Sequence, residues 1–272
     1  MARVTRFAPS PTGPLHLGHA YAALVAAARG DRFLLRIEDI DTARCKPEWE
    51  TAIYEDLRWL GLAWESPVMR QSTRLPAYEA ALAHLYQAGL TYHCTCTRGD
   101  IRAALAAPQE GAPVIGPDGP VYPGTCRGKG HPAGAVRLDM GRAMARLGQV
   151  AFAETGTRAG THSFDAAQLI ENVGDVVLAR RDIGTSYQIA VVVDDAAQGI
   201  TEVTRGEDLF EATAIHVVLQ RLLGLPTPAY HHHRLIRDDQ GKRLAKRDDA
   251  RALAKYRAEG ATPADIRRMV GL

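Results

Sequence analysis

Short apolar runs and segments with helical spacing alternate over the first third of the chain. "RVTRFA" at residues 3–8 and "DRFLLRIED" at residues 31–39 have the length and apolar content of buried strands. The alanine-rich residues 18–29 between them predict a helix. Two further helices are predicted over residues 47–62 and 74–89, where apolar side chains recur every three or four positions. This alternation of strands and helices predicts an α/β fold with a parallel sheet.

The pattern is interrupted in residues 94–134, which are rich in glycine and proline. We expect little regular structure there. Strand-like segments follow in "AVRLDM" and "DVVLAR", so this region is predicted to be an insertion in one domain rather than a linker between two. The α/β pattern then continues to a helix over residues 210–224, a short strand in "HHRLI", a charged loop and one or two last helices.

The composition is that of a protein without a membrane segment. Apolar residues make up 46% of the 272 positions, and no apolar run approaches the ~18 residues that a membrane span needs. The N-terminus also lacks the apolar core of a signal peptide. We therefore expect a cytoplasmic protein with no membrane partner. The net charge of +2 indicates no particular ligand, but residues 234–257 hold nine Lys or Arg against four Asp. Such a segment is either a solvated surface or a contact for phosphate or nucleic acid.

The segment "SPTGPLHLGHA" at residues 10–20 has the features of a phosphate-binding turn. Its prolines stiffen the chain after the first strand, and its glycines allow the backbone to approach a ligand closely. The helix that begins here presents N–H groups and the positive end of its dipole, and His16 and His19 can donate to the same anion. Alone, the motif is also compatible with a proline-rich turn that carries two surface histidines.

A second basic motif, "GKRLAKRDDA", occupies residues 241–250. The two motifs together resemble the ATP-binding signatures of the class I aminoacyl-tRNA synthetases, with HLGH in place of HIGH and RLAKR in place of KMSKS. The resemblance implies that ATP, accompanied by Mg²⁺, contacts His16, Gly18, His19, Arg243 and Lys246, and that His16, His19 and Lys246 act in catalysis. Arg243 keeps the charge of the family's first lysine, whereas Ala245 lacks the hydroxyl of the family's serine.

Three further segments resemble the glutamyl branch of that family: "RFAPSPTGPLHLG", "RIEDID" and "VTRGEDL". The resemblance implies that L-glutamate is bound by Arg6, Phe7, Ala8, Pro9, Ser10, Glu38, Tyr187 and Arg205. Glu38 would hold the α-ammonium group, and an arginine offers a fork of donors that suits a carboxylate. Taken singly, Glu38 is also explained as a strand-end cap or ion-pair partner, and Arg205 as half of a structural ion pair.

The resemblance is closest to truncated paralogues of glutamyl-tRNA synthetase, which attach glutamate to the queuosine base in the anticodon of tRNA(Asp). It implies a Rossmann-like catalytic domain, assigned to residues 1–93 and 135–248, and a small zinc-bearing insertion at residues 94–134. Residues 249–272 are expected to be a C-terminal helical segment, too short for an anticodon-binding domain. We expect a monomer that takes glutamate, ATP and tRNA(Asp) bearing queuosine, and that activates glutamate without tRNA, unlike the full-length enzymes.

Three of the four cysteines lie in the insertion, in "HCTC" at residues 93–96 and "YPGTC" at residues 122–126. Clustered cysteines in a cytosolic chain suggest a metal site more than disulfides, and zinc prefers about four such ligands. The spacing favours His93 or His131 as the fourth ligand. The family pattern instead implies one structural Zn²⁺ held by Cys94, Cys96, Tyr122 and Cys126. Buried cysteines without a metal are the alternative, and Cys45 lies apart.

The "HHH" at residues 231–233 is predicted to be part of a strand rather than a metal site, because neighbouring strand residues face opposite ways. Three other functions remain open at this stage: a short glutamyl-tRNA synthetase that charges a tRNA 3′ end, a nucleotidyltransferase that adenylates a small metabolite, and a non-catalytic RNA-binding module.

Overall fold

The computed structural model describes residues 2–106, 114–237 and 251–272. Its first part has the alternating order that the apolar pattern predicts. The elements are β1 Val4–Phe7, α1 Leu17–Arg29, β2 Arg32–Ile37, α2 Pro47–Trp59, β3 Glu65–Arg70 and α3 Leu75–Gln87. β1, β2 and β3 form a sheet in that order, and both pairings are parallel. The sequence pattern did not reveal β3, whose residues are mostly exposed.

The middle of the chain contains more regular structure than we expected from its glycine and proline content. The elements are β4 Thr91–Cys94, α4 Arg98–Ala106, β5 Ile115–Gly116, β6 Gly119–Pro120, β7 Ala135–Leu138 and α5 Met140–Leu147. Thr97 and Asp100 cap the start of α4 reciprocally, since the Asp100 carboxylate accepts the Thr97 N–H and the Thr97 hydroxyl accepts the Asp100 N–H. The capped, alanine-rich run therefore forms a helix within the insertion.

A mixed sheet forms the centre of the second half. The elements are β8 Gln149–Glu154, β9 Gly160–Asp165, α6 Ala166–Asn172, β10 Val177–Ala179, α7 Tyr187–Ala197, β11 Glu202–Gly206, α8 Thr213–Leu222, β12 Ala229–His233, α9 Leu253–Ala258 and α10 Pro263–Met269. The strand order is β11-β12-β8-β9. β11 pairs with β12, and β12 with β8, in parallel, whereas β8 and β9 are antiparallel. The connection of residues 155–159 is too short for a parallel crossover, which explains this departure from the predicted parallel sheet.

The parallel sheet β1-β2-β3 and the mixed sheet are joined at the starts of β1 and β11. The Thr201 N–H donates to the Val4 carbonyl at 3.0 Å, and the Val4 N–H donates to the Thr201 hydroxyl at 2.8 Å. The strands therefore start side by side and present their carboxyl ends at a common edge. β4 and β10 pair antiparallel on either side of β7, so the chain leaves and re-enters this small sheet at adjacent strands, β4 and β7.

Two apolar clusters fill the interior. One contains the buried face of α8, with Ile215, Val218 and Leu219, and reaches α7 and β8. The other lies between α1, β2 and α2 and also takes Leu253 and Ile266 from the last two helices. Both helices that follow residue 250 are thus anchored on α1 and α2. Within the described ranges, no helix has the length and apolar content needed to cross a bilayer.

The contact between α2 and α9 contains a buried acid, Asp56, so its contribution to stability should depend on pH. Its carboxylate in α2 is buried and lies 3.5 Å from the Arg257 guanidinium of α9. Burial raises the pKa of Asp56 from 3.8 to about 6, although Arg257 opposes the shift. Because this pKa is higher in the folded chain, the group's stabilising contribution is complete below the unfolded pKa and is lost as the pH rises through 6.

We expect Asp56→Asn to increase the free energy of unfolding at pH 7.5, because the amide carries no charge to bury. The shift corresponds to at most ~3 kcal/mol, and partial hydration and Arg257 should reduce the gain to about 1 kcal/mol. The gain should shrink between pH 7.5 and pH 5, as measured by urea unfolding. Glu48→Gln, at an exposed acid in the first turn of the same helix, is the control. If Asp56→Asn destabilises the chain at every pH, then the ion pair outweighs the burial cost.

Candidate active site and metal centre

The predicted amino-acid-binding residues meet where parallel strands end. Arg6 lies on β1, Arg205 on β11, and Glu38 directly follows β2, while Tyr187 is the first residue of α7. The carboxyl edge of a parallel sheet is the usual position for a ligand site in this class of fold. A cavity of about 240 Å³ opens here and is lined by Ser10, Thr12, Glu38, Ile40, Asp41, Arg44, Cys45, Gln71, Arg180, Ile183, Thr185, Ser186 and Tyr187.

Asp195 of α7 links two buried arginines, Arg6 and Arg36, of which Arg36 also contacts the cavity residue Glu38. The Asp195 carboxylate accepts the Nε and Nη2 groups of Arg6 at 2.9 and 3.2 Å, and Nη1 of Arg36 at 2.6 Å. Burial by itself would raise the pKa of Asp195, but Arg6 and Arg36 lower it well below its ordinary value. The carboxylate therefore stays ionised and fixes both guanidinium groups.

Glu38 is held by the second nitrogen of the same arginine. The Arg36 Nη2 group donates to Glu38 Oε1 at 3.1 Å, and the Glu38 N–H donates to the Pro9 carbonyl at 3.1 Å. Burial raises the pKa of Glu38, although Arg36 and Arg6 oppose it. A cationic ligand group at this carboxylate would reduce that burial cost. Asp39, in contrast, accepts both the N–H and the hydroxyl of Ser72 and has a structural role.

Arg205 is buried but has only uncharged polar partners in the described part of the chain. Its Nε group donates to His232 Nε2 at 3.2 Å, Nη1 to His216 Nδ1 at 3.0 Å, and Nη2 to the Thr213 hydroxyl at 2.5 Å. Among the ion pairs of the described residues, none includes Arg205. The described residues therefore do not support the alternative that Arg205 is half of a structural ion pair.

Tyr187 lines the cavity and also lies close to His216, one of the partners of Arg205. Its ring lies 5.6 Å from the His216 ring, and its side chain is 37% exposed. Loss of hydration raises the pKa of Tyr187, Glu38 adds to this effect, and Arg205 and Arg6 oppose it. The phenol therefore remains protonated between an acid and two cations. Of the other predicted residues, Phe7 at the end of β1 packs into the core beside α1, and Ala8 is partly buried.

The HLGH motif forms the start of α1, as predicted, but its histidines cap the helix themselves. His16 Nδ1 accepts the Gly18 N–H at 3.1 Å, and His19 Nδ1 accepts the His16 N–H at 3.2 Å. The ring centroids lie 3.8 Å apart, and the ring planes are tilted by 34° to each other. A Cβ atom on Gly18 would lie 3.0 Å from the His16 ring, so a glycine permits this approach. Since Nδ1 accepts in both rings, a neutral ring carries its proton on Nε2.

Arg243 and Lys246 lie outside the described residues. The chain that follows them returns to the HLGH motif: the Leu253 N–H donates to the Leu15 carbonyl at 2.8 Å, and Ala252 pairs with His16 as an isolated β-bridge. Ile236 and Leu253 belong to the same apolar cluster as α1. The described residues on both sides of segment 238–250 are thus fixed beside the predicted ATP site.

The predicted metal ligands are clustered in the insertion. The sulfur atoms of Cys94, Cys96 and Cys126 all lie within 4.8 Å of one another. The Tyr122 hydroxyl is 3.3 Å from Cys94 Sγ and 3.4 Å from Cys96 Sγ, and it accepts the Cys126 N–H at 2.9 Å. Tetrahedral zinc with sulfur at ~2.3 Å requires sulfur atoms roughly 3.8 Å apart. The donor set therefore fits such an ion.

The two histidines that spacing favoured lie beside this cluster, not in it. His93 Nδ1 contacts the His131 carbonyl at 3.1 Å, and His131 Nε2 lies 3.5 Å from the Thr95 hydroxyl. Burial raises the pKa of Cys126, but hydrogen bonds with Tyr122 and Thr95 lower it overall to about 5. A thiolate at this position is the form that binds a metal.

Sequence patterns did not reveal several of the groups that shape the site. Asp195 and Gln188 lie on α7 in a run that reads as apolar, and His216 lies on α8. The only available signal was a pair of acids, Asp194 and Asp195, inside that buried helix. The histidines at residues 231–233 lie in a strand, as predicted, but they end β12, which lies three residues earlier than the strand predicted in "HHRLI". His232 contacts Arg205.

Comparison with known proteins agrees with this geometry. Residues 3–272 match the family model described as tRNA synthetases class I (E and Q), catalytic domain. The chain is 64% identical to a protein of Rhodobacter capsulatus named Glutamyl-Q tRNA(Asp) synthetase, and the alignment covers 99% of this chain and 100% of that one. A protein of the same name from Nocardia farcinica is 44% identical, over 96% of this chain and 81% of the relative.

A solved structure has the same fold. The glutamate-tRNA synthetase from Elizabethkingia anophelis superposes with a TM-score of 0.78 at 27% identity, covering 100% of this chain. The present chain spans 61% of the length of that protein. By the family model and these identities, the chain belongs to the class I tRNA synthetases of the E and Q family, within the group of relatives named glutamyl-Q tRNA(Asp) synthetase.

Proposed function

We propose that this chain activates glutamate with ATP and transfers it to the queuosine base of tRNA(Asp). The names of its relatives support this substrate pair. The structural observation that carries the proposal is Arg205, a buried cation whose partners among the described residues are two imidazoles and a hydroxyl. Such a group requires an anion from outside the protein, and glutamate supplies a carboxylate.

The remaining charges of the cavity match the rest of a glutamate molecule. Glu38, with its raised pKa, is suited to an ammonium group. Arg6 is fixed by Asp195 and can add a second cationic contact, while Ser10 and Tyr187 line the cavity and can donate or accept. A zwitterion with one additional carboxylate therefore complements the site, whereas a neutral side chain would leave Arg205 without a counter-charge.

ATP is placed at the start of α1 in this proposal. The Nε2–H groups of His16 and His19 and the positive end of the helix dipole would contact its phosphates. Gly18 permits the His16 ring to take this position. Arg243 and Lys246 are assigned to the same phosphates from the family resemblance, and Mg²⁺ enters bound to ATP.

The reaction then needs alignment more than covalent help from the protein. The glutamate α-carboxylate oxygen attacks the α-phosphorus of ATP, and pyrophosphate leaves. A hydroxyl oxygen of the queuosine diol next attacks the glutamyl carbonyl carbon, and AMP leaves. Fixed donors around developing negative charge and close alignment of the reactants supply the rate enhancement. The rival hypothesis, a short enzyme that charges a tRNA 3′ end, receives no support from the relatives' names.

The insertion is proposed to hold one structural zinc ion through Cys94, Cys96, Cys126 and Tyr122. The Arg137 guanidinium lies 3.8 Å from the centroid of the Tyr122 ring, so it would stabilise a phenolate ligand. Burial raises the pKa of Tyr122, and a bound dication reverses that preference. When bound, zinc would order a glycine-rich segment that has a small core of its own.

Glutamate activation is expected to require no tRNA. Pyrophosphate exchange should proceed with glutamate, ATP and Mg²⁺ alone. Arg205→Gln should raise the KM for glutamate about 10- to 100-fold, because a charge-assisted contact is lost, and should leave the KM for ATP nearly unchanged. Arg158→Gln, at an exposed arginine that pairs with Glu211, is the matched control. Strict dependence on added tRNA, or an unchanged KM for glutamate in the Arg205 variant, would contradict the assignment.

The acceptor can be identified with two tRNA(Asp) preparations that differ only in queuosine. Labelled glutamate should attach to the queuosine-containing tRNA and not to the queuosine-free one. Periodate oxidises both the queuosine diol and the 3′ ribose, so a third sample has its 3′ end blocked while the queuosine diol is protected. Labelling should persist in that sample. Transfer to queuosine-free tRNA, or its loss when only the 3′ end is blocked, would instead establish a tRNA-charging enzyme.

The metal proposal predicts about one zinc per purified chain by elemental analysis. Cys126→Ser should lose most of it, and Tyr122→Phe should release zinc to a chelator at least about tenfold faster than wild type. Cys45→Ser, His93→Ala and His131→Ala should retain it, since these residues lie outside the cluster of donors. A wild-type rate in Tyr122→Phe, combined with loss of zinc in either histidine variant, would show that the fourth ligand is a histidine.

A further inference from the structure

Arg205 is held by two histidines in a way that fixes the hydrogen positions on both rings. A guanidinium group only donates, so the ring nitrogens that face it, His232 Nε2 and His216 Nδ1, must be unprotonated acceptors. His232 then carries its proton on Nδ1, which lies 2.5 Å from Glu154 Oε2. His216 carries its proton on Nε2, which lies 2.8 Å from Gln188 Oε1. The two rings are therefore opposite tautomers.

The strand register explains why these groups meet. Arg205 on β11 lies directly beside His232 on β12, and Tyr230 on β12 lies beside Glu154 on β8. Three neighbouring parallel strands thus contribute the arginine, an imidazole and a carboxylate at one edge of the sheet. Glu154 also accepts the backbone N–H groups of His232 and Gly156, so it is held firmly.

The other histidine is supported from the helical side. His216 on α8 donates to Gln188 on α7, and the Gln188 amide donates to Asp118 at 3.1 Å. Asp118 lies in the turn between β5 and β6, within the insertion. Arg205 is therefore approached from one side by the sheet and from the other by a chain of hydrogen bonds that begins in the insertion.

Arg6 and Arg36, the other two buried arginines of the site, are held by carboxylates rather than by imidazoles. Asp195 orients both Arg6 and Arg36, and two carboxylates, Asp195 and Glu38, balance the two guanidinium charges. Neutral imidazoles orient Arg205 through hydrogen bonds but leave its full positive charge for a ligand. Burial and the charge of Arg205 lower the pKa of His232 to about 4, although Glu154 opposes the shift, and the same two causes lower the pKa of His216 well below its ordinary value. Both rings therefore stay neutral at physiological pH.

We propose that His216 and His232 are positioning residues for amino-acid binding, whose neutral rings orient Arg205 so that its remaining N–H groups face the substrate carboxylate. Each terminal nitrogen of Arg205 has two N–H groups, and one of each pair is used by His216 or Thr213. This inference rests on the proposed function in that it takes glutamate as the ligand of Arg205. The hydrogen-bond geometry on which it is based holds without that assumption.

The kinetic test uses variants that remove or keep the acceptor atom. His216→Leu and His232→Leu remove it. His216→Asn and His232→Gln can place an amide oxygen near the lost Nδ1 or Nε2. In glutamate-dependent pyrophosphate exchange, each leucine variant should raise the KM for glutamate about tenfold and lower the preference for glutamate over glutamine, with the KM for ATP nearly unchanged. Each amide variant should recover most of this loss. His231→Leu, on the same strand, is the matched control.

A spectroscopic test covers the case in which a buried variant does not fold. In wild-type protein labelled with ¹⁵N-histidine, His232 should give the shifts of the Nδ1–H tautomer and His216 those of the Nε2–H tautomer at pH 7. Imidazolium shifts, or the reverse tautomers, would overturn the proposal. So would wild-type KM values for glutamate in folded leucine variants. If wild type itself shows no glutamate-dependent exchange while the tautomers are as expected, the proposed function fails and the geometry of Arg205 stands.

Discussion

The Asp195 carboxylate is the interaction on which the rest of the site depends. A buried guanidinium group is tolerated only with a partner, and here one carboxylate serves both Arg6 and Arg36. Because these residues come from α7, β1 and β2, the interaction fixes one helix against two strands. Arg36 in turn holds Glu38. The orientation of an anion-binding group and of a cation-binding group is thus set by a single buried acid.

The charges of Arg6 and Arg36 are balanced by acidic residues of the protein, whereas the charge of Arg205 is not balanced within the described residues. Arg6 and Arg36 are paired with two carboxylates, Asp195 and Glu38, so this group of four residues has little net charge. Arg205 keeps its charge because the described groups around it are uncharged. In the proposed function, this difference would select a substrate with an additional carboxylate, since a ligand without that charge would bury Arg205 uncompensated.

The sequence predicted the parts of this arrangement that are local in the chain. The strand–helix–strand order, the HLGH turn and the cysteine cluster are each encoded by residues that lie close together in the sequence. The structure contains all three. The Asp195 network could not be predicted, because Arg6 and Asp195 are 189 positions apart and an acid inside an apolar helix gives no hint of its partner. The short α4 was missed because glycine and proline dominate its surroundings, although Thr97 and Asp100 form a readable cap.

The insertion is connected to the proposed amino-acid site as well as to its own cluster of cysteines. Asp118 in its hairpin accepts from Gln188, and Gln188 is the group that fixes the tautomer of His216. On the other side, Arg181 donates to the carbonyls of Cys94 and Cys96, within the metal cluster. Ordering of the insertion by a metal would therefore reach Arg205 through three hydrogen bonds, from Asp118 through Gln188 and His216. Because each of these contacts is partly or fully buried and directional, displacement of the hairpin would alter the acceptor that Arg205 meets.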